Sequence, residues 1–320
     1  MSNVFEKPPL NTLLRVRSLI RDQVHFTPVM QSRQINARCG GQVWFKCENL
    51  QKVGAFKYRG ASAALALSSP ETLARGVTTH SSGNHAQALA RAARERGIPA
   101  WIVMPENAPA VKKAAVRDYG AEVIECVPTL AAREQTLAEV QARTGALFVH
   151  PYDDWGVICG QSTAAQEILE QVPGLDYLLA PVGGGGLLAG SALACHYLAP
   201  QVRVIGCEPT GADDAFRSFQ SRTLQPSLQP QTLADGLLTS LGQRTFPLIL
   251  AHVAQIVCVS EQAIVQAMRL IWERLKLVVE PSGAVPLAAL LEGQLSLNGG
   301  SAVLILSGGN TDLDYLPWQA

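Results

Sequence analysis

The sequence has no surplus of charge of either sign, because 26 lysines and arginines balance 26 aspartates and glutamates. A protein whose main partner is nucleic acid or an anionic membrane usually carries a basic surplus, so we expect neither partner. Charged residues make up only 16% of the chain and hydrophobic residues 48%, which argues against disorder and allows a sizeable core. At roughly 150 residues per domain, the 320 residues indicate about two domains.

Long hydrophobic runs are also missing. No run approaches the ~20 apolar residues that a membrane-spanning helix needs. Residues 1–21 mix proline, glutamate and arginine and contain no apolar segment typical of a signal peptide. We therefore expect a soluble, cytoplasmic protein.

Paired cysteine motifs are absent as well. The seven cysteines lie far apart, include no C-x-x-C pair and are odd in number, so oxidised pairing would leave one over. Their spacing fits no zinc site, and free thiols in a reducing cytosol are the expectation. They are Cys39, Cys47, Cys126, Cys159, Cys195, Cys207 and Cys258.

What the sequence does contain is an alternation of short apolar runs with longer amphipathic stretches. The apolar runs predict strands at residues 43–47, 77–80, 100–104, 122–126, 147–150, 177–181, 202–207, 255–259 and 302–306. Alanine and leucine at helical spacing predict helices at residues 85–96, 108–119, 129–143, 161–171, 187–198 and 261–275. This alternation is typical of an α/β fold with mostly parallel sheets and helices on both faces. Residues 220–232, with two prolines and four glutamines, are predicted to be irregular.

Small, glycine-bearing loops follow several of the predicted strands. They comprise residues 81–84 (Ser-Ser-Gly-Asn), 183–186 (four glycines) and 307–310 (Ser-Gly-Gly-Asn). A fourth loop, residues 54–60, carries Lys57. Ligands of open parallel sheets bind at the carboxyl ends of strands, so these loops are the expected place for a ligand site.

The four successive glycines, Gly183 to Gly186, favour an anion site. Without Cβ atoms their N–H groups can converge, and the following helix adds its positive dipole end, which suits a phosphate. A tight turn with positive φ is the simpler alternative, although one or two glycines would satisfy it. A dinucleotide site is the other alternative, with Glu208 as a ribose-binding acid, but the glycines do not follow the G-x-G-x-x-G register.

Lys57 stands among small and aromatic neighbours, Ala55, Phe56 and Gly60, at the start of an alanine-rich stretch. A desolvated lysine has a lowered pKa and is suited to form a Schiff base. A solvated lysine at a helix start is the alternative. The Schiff-base interpretation requires the four-glycine loop, as a phosphate site, and a polar loop to lie close to Lys57.

The segments ENLQKVGAFKYRGA, THSSGNHAQALA, PVGGGGLLAG and LSGGN carry a resemblance to a known family. In their order and spacing, the chain resembles the fold-type II pyridoxal-phosphate enzymes from about residue 14 to 316. Within them it is most similar to the group of serine/threonine dehydratases, serine racemases and threo-3-hydroxyaspartate ammonia-lyases. The resemblance implies two doubly wound parallel-sheet domains of the tryptophan synthase beta-like kind, with the cofactor in the cleft. It also implies a homodimer.

The domain boundaries expected from this resemblance divide the chain into three segments. Residues 1–76 and 152–320 would form the large cofactor-binding domain, and residues 77–151 the small domain with the substrate loop. Because few residues follow Asn310, we expect no C-terminal regulatory domain.

The resemblance also implies the roles of individual residues. Lys57 would hold pyridoxal 5'-phosphate as a Schiff base, with Phe56 beside the ring, Asn84 at the phenolic oxygen and Ser307 at the pyridine nitrogen. The phosphate would be held by Gly183, Gly184, Gly185, Gly186 and Leu187. The substrate carboxylate would be held by Ser81, Ser82, Gly83, Asn84 and His85. Ala55 departs from the serine that many relatives have two residues before the lysine.

The implied reaction is α,β-elimination from serine, threonine or 3-hydroxyaspartate, giving a 2-oxo acid and ammonia. A hydroxyl at the pyridine nitrogen, unlike a carboxylate, does not force protonation of the ring, which favours prompt loss of a β-substituent. Lys57 would be the general base. Racemisation is the alternative, because Ser82 matches a serine that could supply a proton on the opposite face. A nicotinamide oxidoreductase and a non-catalytic binding protein are the alternatives from other classes.

A divalent cation is expected from the same resemblance. The segment from Glu208 to Asp214 resembles the metal-binding segment of this group, and Glu208, Asp214 and the Ala212 carbonyl would supply the oxygen ligands that Mg²⁺ or Ca²⁺ prefers. Asp213 is the less favoured ligand. Without the resemblance, two such acids would be interpreted as a solvated loop or a helix start.

Arg133 bears on the substrate. Its position resembles an arginine of the racemase-like group that can approach the substrate, and a guanidinium there could bind a second carboxylate. That role favours 3-hydroxyaspartate over threonine. A solvated arginine in the first turn of a helix is the alternative.

Overall fold

The computed structural model describes residues 7–319, and two sheets organise it. The ten strands of this part of the chain are β1 Val29–Gln31, β2 Gln42–Lys46, β3 Val77–His80, β4 Ala100–Pro105, β5 Glu122–Cys126, β6 Leu147–Phe148, β7 Tyr177–Pro181, β8 Arg203–Pro209, β9 Gln255–Val259 and β10 Ser301–Ile305. A six-stranded sheet has the order β1-β2-β10-β7-β8-β9, and a four-stranded sheet has the order β5-β4-β3-β6. All neighbours pair in parallel except β1 and β2, which are antiparallel.

Helices connect the strands and cover both sheets. They are α1 Leu10–Ile20, α2 Arg33–Cys39, α3 Lys57–Leu67, α4 Pro70–Leu73, α5 Asn84–Glu95, α6 Ala110–Asp118, α7 Leu130–Thr144, α8 Trp155–Gln171, α9 Gly186–Leu198, α10 Asp214–Ser221, α11 Thr245–His252, α12 Glu261–Leu275 and α13 Pro281–Leu291. Side-chain caps fix several starts: Thr129, Asp154 and Ser260 each accept a hydrogen bond from the third backbone N–H that follows.

The core lies on both faces of each sheet. Side chains of α1, α8, α9 and α11, such as Leu13, Ile158, Leu188 and Ile249, are buried together on one face of the six-stranded sheet. Residues of α2, α12 and α13 form the other layer, and α3 and α5 pack with the four-stranded sheet. The predicted α/β architecture with two parallel-sheet layers is therefore confirmed.

The predicted strands are all present, with ends displaced by at most two residues. Residues 222–234 contain no helix or strand, in agreement with the irregular segment predicted there. The pattern did not predict β1, α1 or α2. β1 has only three residues, too few for an alternating pattern, and joins its sheet through one antiparallel pairing with β2. Within residues 7–319, no helix combines the length and hydropathy needed to cross a bilayer.

Candidate active site

Lys57 is the first residue of α3, and its side chain is partly buried at the carboxyl end of the six-stranded sheet. Its Nζ donates a hydrogen bond to the carbonyl oxygen of Pro151 at 2.9 Å. Burial lowers the pKa of the Lys57 amine from 10.5 to about 8, although the nearby Glu280 carboxyl acts in the opposite direction. An appreciable fraction of the amine is therefore unprotonated near neutral pH and available as nucleophile or base.

The loop after β10 holds the chain just before Lys57. The Phe56 N–H donates to the Ser307 carbonyl at 3.0 Å, and the Gly309 N–H donates to the Gly54 carbonyl at 2.9 Å. The Ser307 side chain is 2% exposed. Two of the loops found in the sequence are therefore joined by backbone hydrogen bonds, about 250 residues apart in the chain.

Both the nitrogen and the oxygen of the Asn84 side-chain amide make hydrogen bonds. Its Nδ2 donates to the Glu280 carboxyl at 2.9 Å, and its Oδ1 accepts from Asn310 Nδ2 at 2.9 Å. Burial raises the pKa of Glu280 to about 7, and the bond from Asn84 lowers it in part. Nδ2 also lies 3.2 Å from the second oxygen of the Glu280 carboxyl, so Glu280 and Asn310 together fix the orientation of the Asn84 amide. The sequence analysis assigned no role to Asn310 or Glu280, since their contacts with Asn84 span about 200 residues.

The four-glycine segment of residues 183–186, here called the glycine loop, has no space for side chains. A Cβ on Gly184 would lie 2.3 Å from the Tyr152 ring, and one on Gly183 would lie 3.0 Å from the Leu237 backbone. Gly185 has φ 87°, which disfavours other residues. Among residues 7–319, no backbone hydrogen bond is made by the N–H groups of residues 183–187 to an acceptor outside the helix. The loop thus presents free N–H donors at the start of α9, as an anion site requires.

The segment after β6 completes the cleft, and the sequence reasoning did not identify it. It supplies the Pro151 carbonyl to Lys57 and the Tyr152 ring to the glycine loop. Asp153 fixes this segment by accepting hydrogen bonds from three backbone N–H groups at the start of α11. The rule that ligands bind at the ends of parallel strands would have pointed to it, because it directly follows a predicted strand.

The loop of residues 81–84 leads into α5, whose first N–H groups have no side-chain cap. His85, the second residue of α5, is buried and its Nε2 lies 3.1 Å from the Val149 carbonyl. Burial, aided by the positive charge of Lys57, lowers the pKa of His85 to about 3. The His85 ring is therefore neutral near physiological pH.

Arg133 lies in the first turn of α7, and its Nε donates to the Thr129 carbonyl at 3.4 Å. Its positive charge contributes, after burial, to the lowered pKa of His80, the last residue of β3. Its charge thus acts at the end of β3, the strand from which the loop of residues 81–84 departs.

Glu208 and Asp214 are both buried with 0% exposure. Burial raises the pKa of Glu208 to about 9 and that of Asp214 to about 6. Glu208 accepts hydrogen bonds from the Ala215 and Phe216 N–H groups, whereas Asp214 Oδ1 has no hydrogen-bond partner in the described part of the chain. Within residues 7–319, no cluster of three or more histidine, cysteine or acidic side chains could hold a metal ion.

The residues of the cleft fit a phosphorylated aldehyde. The glycine loop offers unused N–H donors to a phosphate, Lys57 offers an amine of lowered pKa to an aldehyde, and Ser307 places an uncharged side chain nearby. These are the features that pyridoxal phosphate needs from a protein.

Comparison with known proteins agrees with this fit. The model of the pyridoxal-phosphate dependent enzyme family matches residues 20–308. A beta-hydroxyaspartate dehydratase of Paracoccus denitrificans (strain Pd 1222) is 48% identical over 98% of this chain and 99% of its own. The crystal structure of a serine racemase from Dictyostelium discoideum has a TM-score of 0.92 at 43% identity, covering 95% of this chain and 99% of that one. The crystal structure of a threonine deaminase from T.th. has a TM-score of 0.90 at 44% identity, covering 96% of this chain and 99% of that one.

Proposed function

We propose that this chain, which belongs to the pyridoxal-phosphate dependent enzyme family and has its type II fold, is a dehydratase for β-hydroxy amino acids and acts best on 3-hydroxyaspartate. The observation that carries the proposal is the Lys57 amine, which donates to the Pro151 carbonyl at 2.9 Å, one residue before the Tyr152 ring that lies against Gly184. The relative from Paracoccus denitrificans, named for β-hydroxyaspartate, supports this substrate over serine or threonine.

The cofactor would be held by the residues that the sequence predicted for it. The N–H groups of residues 183–187 would bind its phosphate, Phe56 and Asn84 would contact its ring, and Ser307 would face its nitrogen. When bound to the substrate amine, pyridoxal phosphate withdraws electrons from the Cα–H bond. Ser307 carries no charge that would keep the ring nitrogen protonated, which favours elimination over a long-lived carbanion.

Lys57 would move the proton. Its Nζ takes the Cα proton, which is possible because the amine is partly unprotonated near neutral pH. The Pro151 carbonyl, 2.9 Å from Nζ, would hold the amine in place while it is free of the cofactor. The Cα proton and the β-hydroxyl leave as water, and hydrolysis then replaces the amino group with oxygen. From 3-hydroxyaspartate the products are oxaloacetate and ammonia.

Two anion sites would orient the substrate. The α-carboxylate would bind at the start of α5, to Ser81, Ser82, Gly83, Asn84 and His85. A second carboxylate would bind Arg133, whose charge acts on His80 at the end of β3. Serine and threonine lack this second carboxylate, so Arg133 would discriminate among the three substrates.

The test is a panel of D- and L-serine, threonine and the diastereomers of 3-hydroxyaspartate, with release of 2-oxo acid as the measurement. Arg133→Ala should lower kcat/KM for 3-hydroxyaspartate by about 10- to 100-fold, as expected for a lost charged hydrogen bond, and change serine turnover little. Arg143→Ala, an exposed arginine at the end of the same helix, is the control and should change neither. An equal loss for serine would contradict the role of Arg133, and no 2-oxo acid from any substrate would contradict the dehydratase.

Racemisation is the second candidate, because Ser82 lies in the substrate loop with a hydroxyl that makes no hydrogen bond to residues 7–319. The serine racemase relative from Dictyostelium discoideum supports it. If Ser82 delivers a proton to the face opposite Lys57, Ser82→Ala should abolish inversion at Cα and retain elimination. Loss of both activities together would assign Ser82 to substrate binding alone.

We also propose a divalent cation, Mg²⁺ or Ca²⁺, at Glu208, Asp214 and the Ala212 carbonyl. Both carboxyls are buried with raised pKa values, and Asp214 Oδ1 has no hydrogen-bond partner among the residues that the structure describes, so a nearby dication would stabilise their ionised forms. Mg²⁺ or Ca²⁺ should raise the melting temperature of the wild type, and Asp214→Asn should remove that response. A melting temperature indifferent to both ions and to chelator would contradict the site.

The domain limits, the homodimer and the cytoplasmic location remain predictions. We propose that residues 77–151 form a small domain that closes over the substrate, because they contain the entire four-stranded sheet and the substrate loop. Small-angle scattering with and without 3-hydroxyaspartate measures closure, and analytical ultracentrifugation measures the association state.

A further inference from the structure

Four charged side chains are buried together behind α3, on the side away from the cleft. They are Lys46 of β2, Glu48 just after it, Arg59 of α3 and Glu167 of α8, and none is more than 5% exposed. Two cations balance two carboxylates, so the group, here called the ion cluster, is electrically neutral.

Arg59 is the centre of the ion cluster. Its Nε and Nη2 donate to the two oxygens of Glu48 at 2.7 and 2.8 Å. Its Nη1 and Nη2 donate to the two oxygens of Glu167 at 2.6 and 2.8 Å. The guanidinium is thus held by two bidentate pairs in one plane, the most directional arrangement available to an ion pair.

Lys46 ties the ion cluster to the sheet. Its Nζ donates to Glu167 at 2.6 Å, to the Thr27 carbonyl at 2.8 Å and to Gln171 at 2.9 Å. Thr27 in turn donates its hydroxyl to Glu48 at 2.6 Å. The position of Arg59 is therefore defined by a strand, a helix and the segment before β1.

Stability is a poor explanation for such a cluster. The desolvation of buried charges offsets most of their attraction, and well-packed apolar replacements of such groups are often as stable or more so. What two bidentate pairs supply and apolar contacts do not is a fixed orientation of the residue that carries them.

That orientation is transmitted to Lys57. Two residues along an α-helix correspond to a rotation of about 200°, so Lys57 points into the cleft while Arg59 points into the interior from the opposite side of α3. A rotation of α3 about its axis would move both side chains. Fixing the guanidinium on one side therefore fixes the amine on the other.

Close packing of α3 against α8 restricts other displacements of α3, so rotation of α3 about its own axis is the motion that the ion cluster must prevent. A Cβ on Gly160 of α8 would lie 2.5 Å from the Arg59 carbonyl, and one on Gly60 would lie 2.2 Å from the Gln161 amide. The two helices thus touch at their backbones. Glu167 lies seven residues, about two turns, beyond Gly160 on α8, so the contact and the ion pair lie on the same face of α8.

We propose that Arg59 is a positioning residue for the reaction: held by Glu48 and Glu167, it sets the rotation of α3 and hence the place of the Lys57 amine. The inference rests on the proposed role of Lys57 in the function above. It concerns residues that touch neither substrate nor cofactor.

The test is Arg59→Lys, which keeps the positive charge and removes the guanidinium group that makes the two bidentate pairs. In the holoenzyme acting on 3-hydroxyaspartate, kcat should fall by about 10- to 100-fold, the scale of an ångström-sized misplacement, while KM changes by less than about threefold because the anion sites are intact. The pH profile of kcat should also shift, since the amine leaves the environment that lowers its pKa. Ile271→Ala, a buried change in α12 on the far face of the six-stranded sheet, is the control for lost stability.

The proposal is supported if both variants lose similar melting temperature and only Arg59→Lys loses kcat. It is overturned if kcat per cofactor-loaded Arg59→Lys enzyme stays within twofold of wild type. Should Arg59→Lys fail to fold, Glu48→Gln removes one of the two bidentate ion pairs and keeps the side-chain shape, with the same two outcomes.

A second readout does not depend on turnover. The rate at which cofactor-free protein captures pyridoxal phosphate on Lys57, fixed by borohydride and measured by mass spectrometry, should fall in Arg59→Lys and not in Ile271→Ala. If wild type turns over no β-hydroxy amino acid, the proposed function fails, while this rate still decides the role of Arg59. An unchanged capture rate would contradict it.

Discussion

Lys57 and Arg59 are two cations of the same helix, two residues apart, with opposite surroundings. Among residues 7–319, the Lys57 amine has one hydrogen-bond partner, the uncharged Pro151 carbonyl, and its pKa falls to about 8. The Arg59 guanidinium has two carboxylates, and Glu48 and Glu167 raise its pKa in spite of complete burial. Burial acts on both, and the partners decide the outcome.

The difference separates two uses of a buried charge. Desolvation without a carboxylate in hydrogen-bond contact outweighs the opposing effect of the nearby Glu280 carboxyl, destabilises the protonated amine and makes Lys57 reactive. Desolvation with two bidentate counter-charges makes Arg59 chemically inert and fixes its geometry. The helix start thus places a reactive group on one face and its anchor on the other.

The largest effect is expected from removing the reactive member of the pair. Lys57→Met should lower kcat by at least about 10³-fold, because it removes both the covalent link to the cofactor and the general base. Release of 2-oxo acid from 3-hydroxyaspartate measures the loss. Lys52→Met, in the same segment but paired with Glu95 at 3.1 Å and partly exposed, is the control and should retain turnover. Substantial activity in Lys57→Met would remove Lys57 from the reaction.

The next effect is on stability and comes from the anchor. Arg59→Met leaves two buried carboxylates with Lys46 as their sole cation, which should lower the free energy of unfolding by about 3–5 kcal/mol. Urea denaturation followed by circular dichroism measures it. A loss of unfolding free energy below about 1 kcal/mol would mean that water solvates Glu48 and Glu167 in the ion cluster.

The sequence predicted one side of this comparison better than the other. Local patterns identified Lys57 and the glycine-bearing loops, because loops at the ends of parallel strands carry their own signature in composition. The ion cluster has no local signature: Lys46 and Glu167 are 121 residues apart and each looks like an ordinary surface residue. The same holds for the pairing of Asn84 with Asn310 and Glu280, which only the assembled fold reveals.

A smaller effect concerns the pH dependence of stability without cofactor. Because the pKa of Lys57 is about 8 in the folded state and 10.5 ordinarily, the unfolded chain binds more protons between these pH values. Stability conferred by this group should therefore rise with pH across that window, by at most about 1.4 kcal/mol per pH unit. The difference in unfolding free energy between wild type and Lys57→Met isolates it. A difference that stays constant from pH 8 to 10.5 would show that the pKa of Lys57 is not lowered.

The smallest effect on stability is expected at the surface, where another arginine makes a bidentate pair with a glutamate. Arg17 of α1 donates to both oxygens of Glu170 at 2.5 and 2.6 Å, one turn of α8 beyond Glu167, with side chains 28% and 55% exposed. Because water solvates both charges whether or not they pair, Arg17→Met should lower the free energy of unfolding by no more than about 1 kcal/mol. The loss should shrink further in 1 M salt, which screens exposed charges but not the ion cluster. Equal losses for Arg17→Met and Arg59→Met would mean that hydrogen-bond geometry alone, and not burial, determines the strength of such a pair.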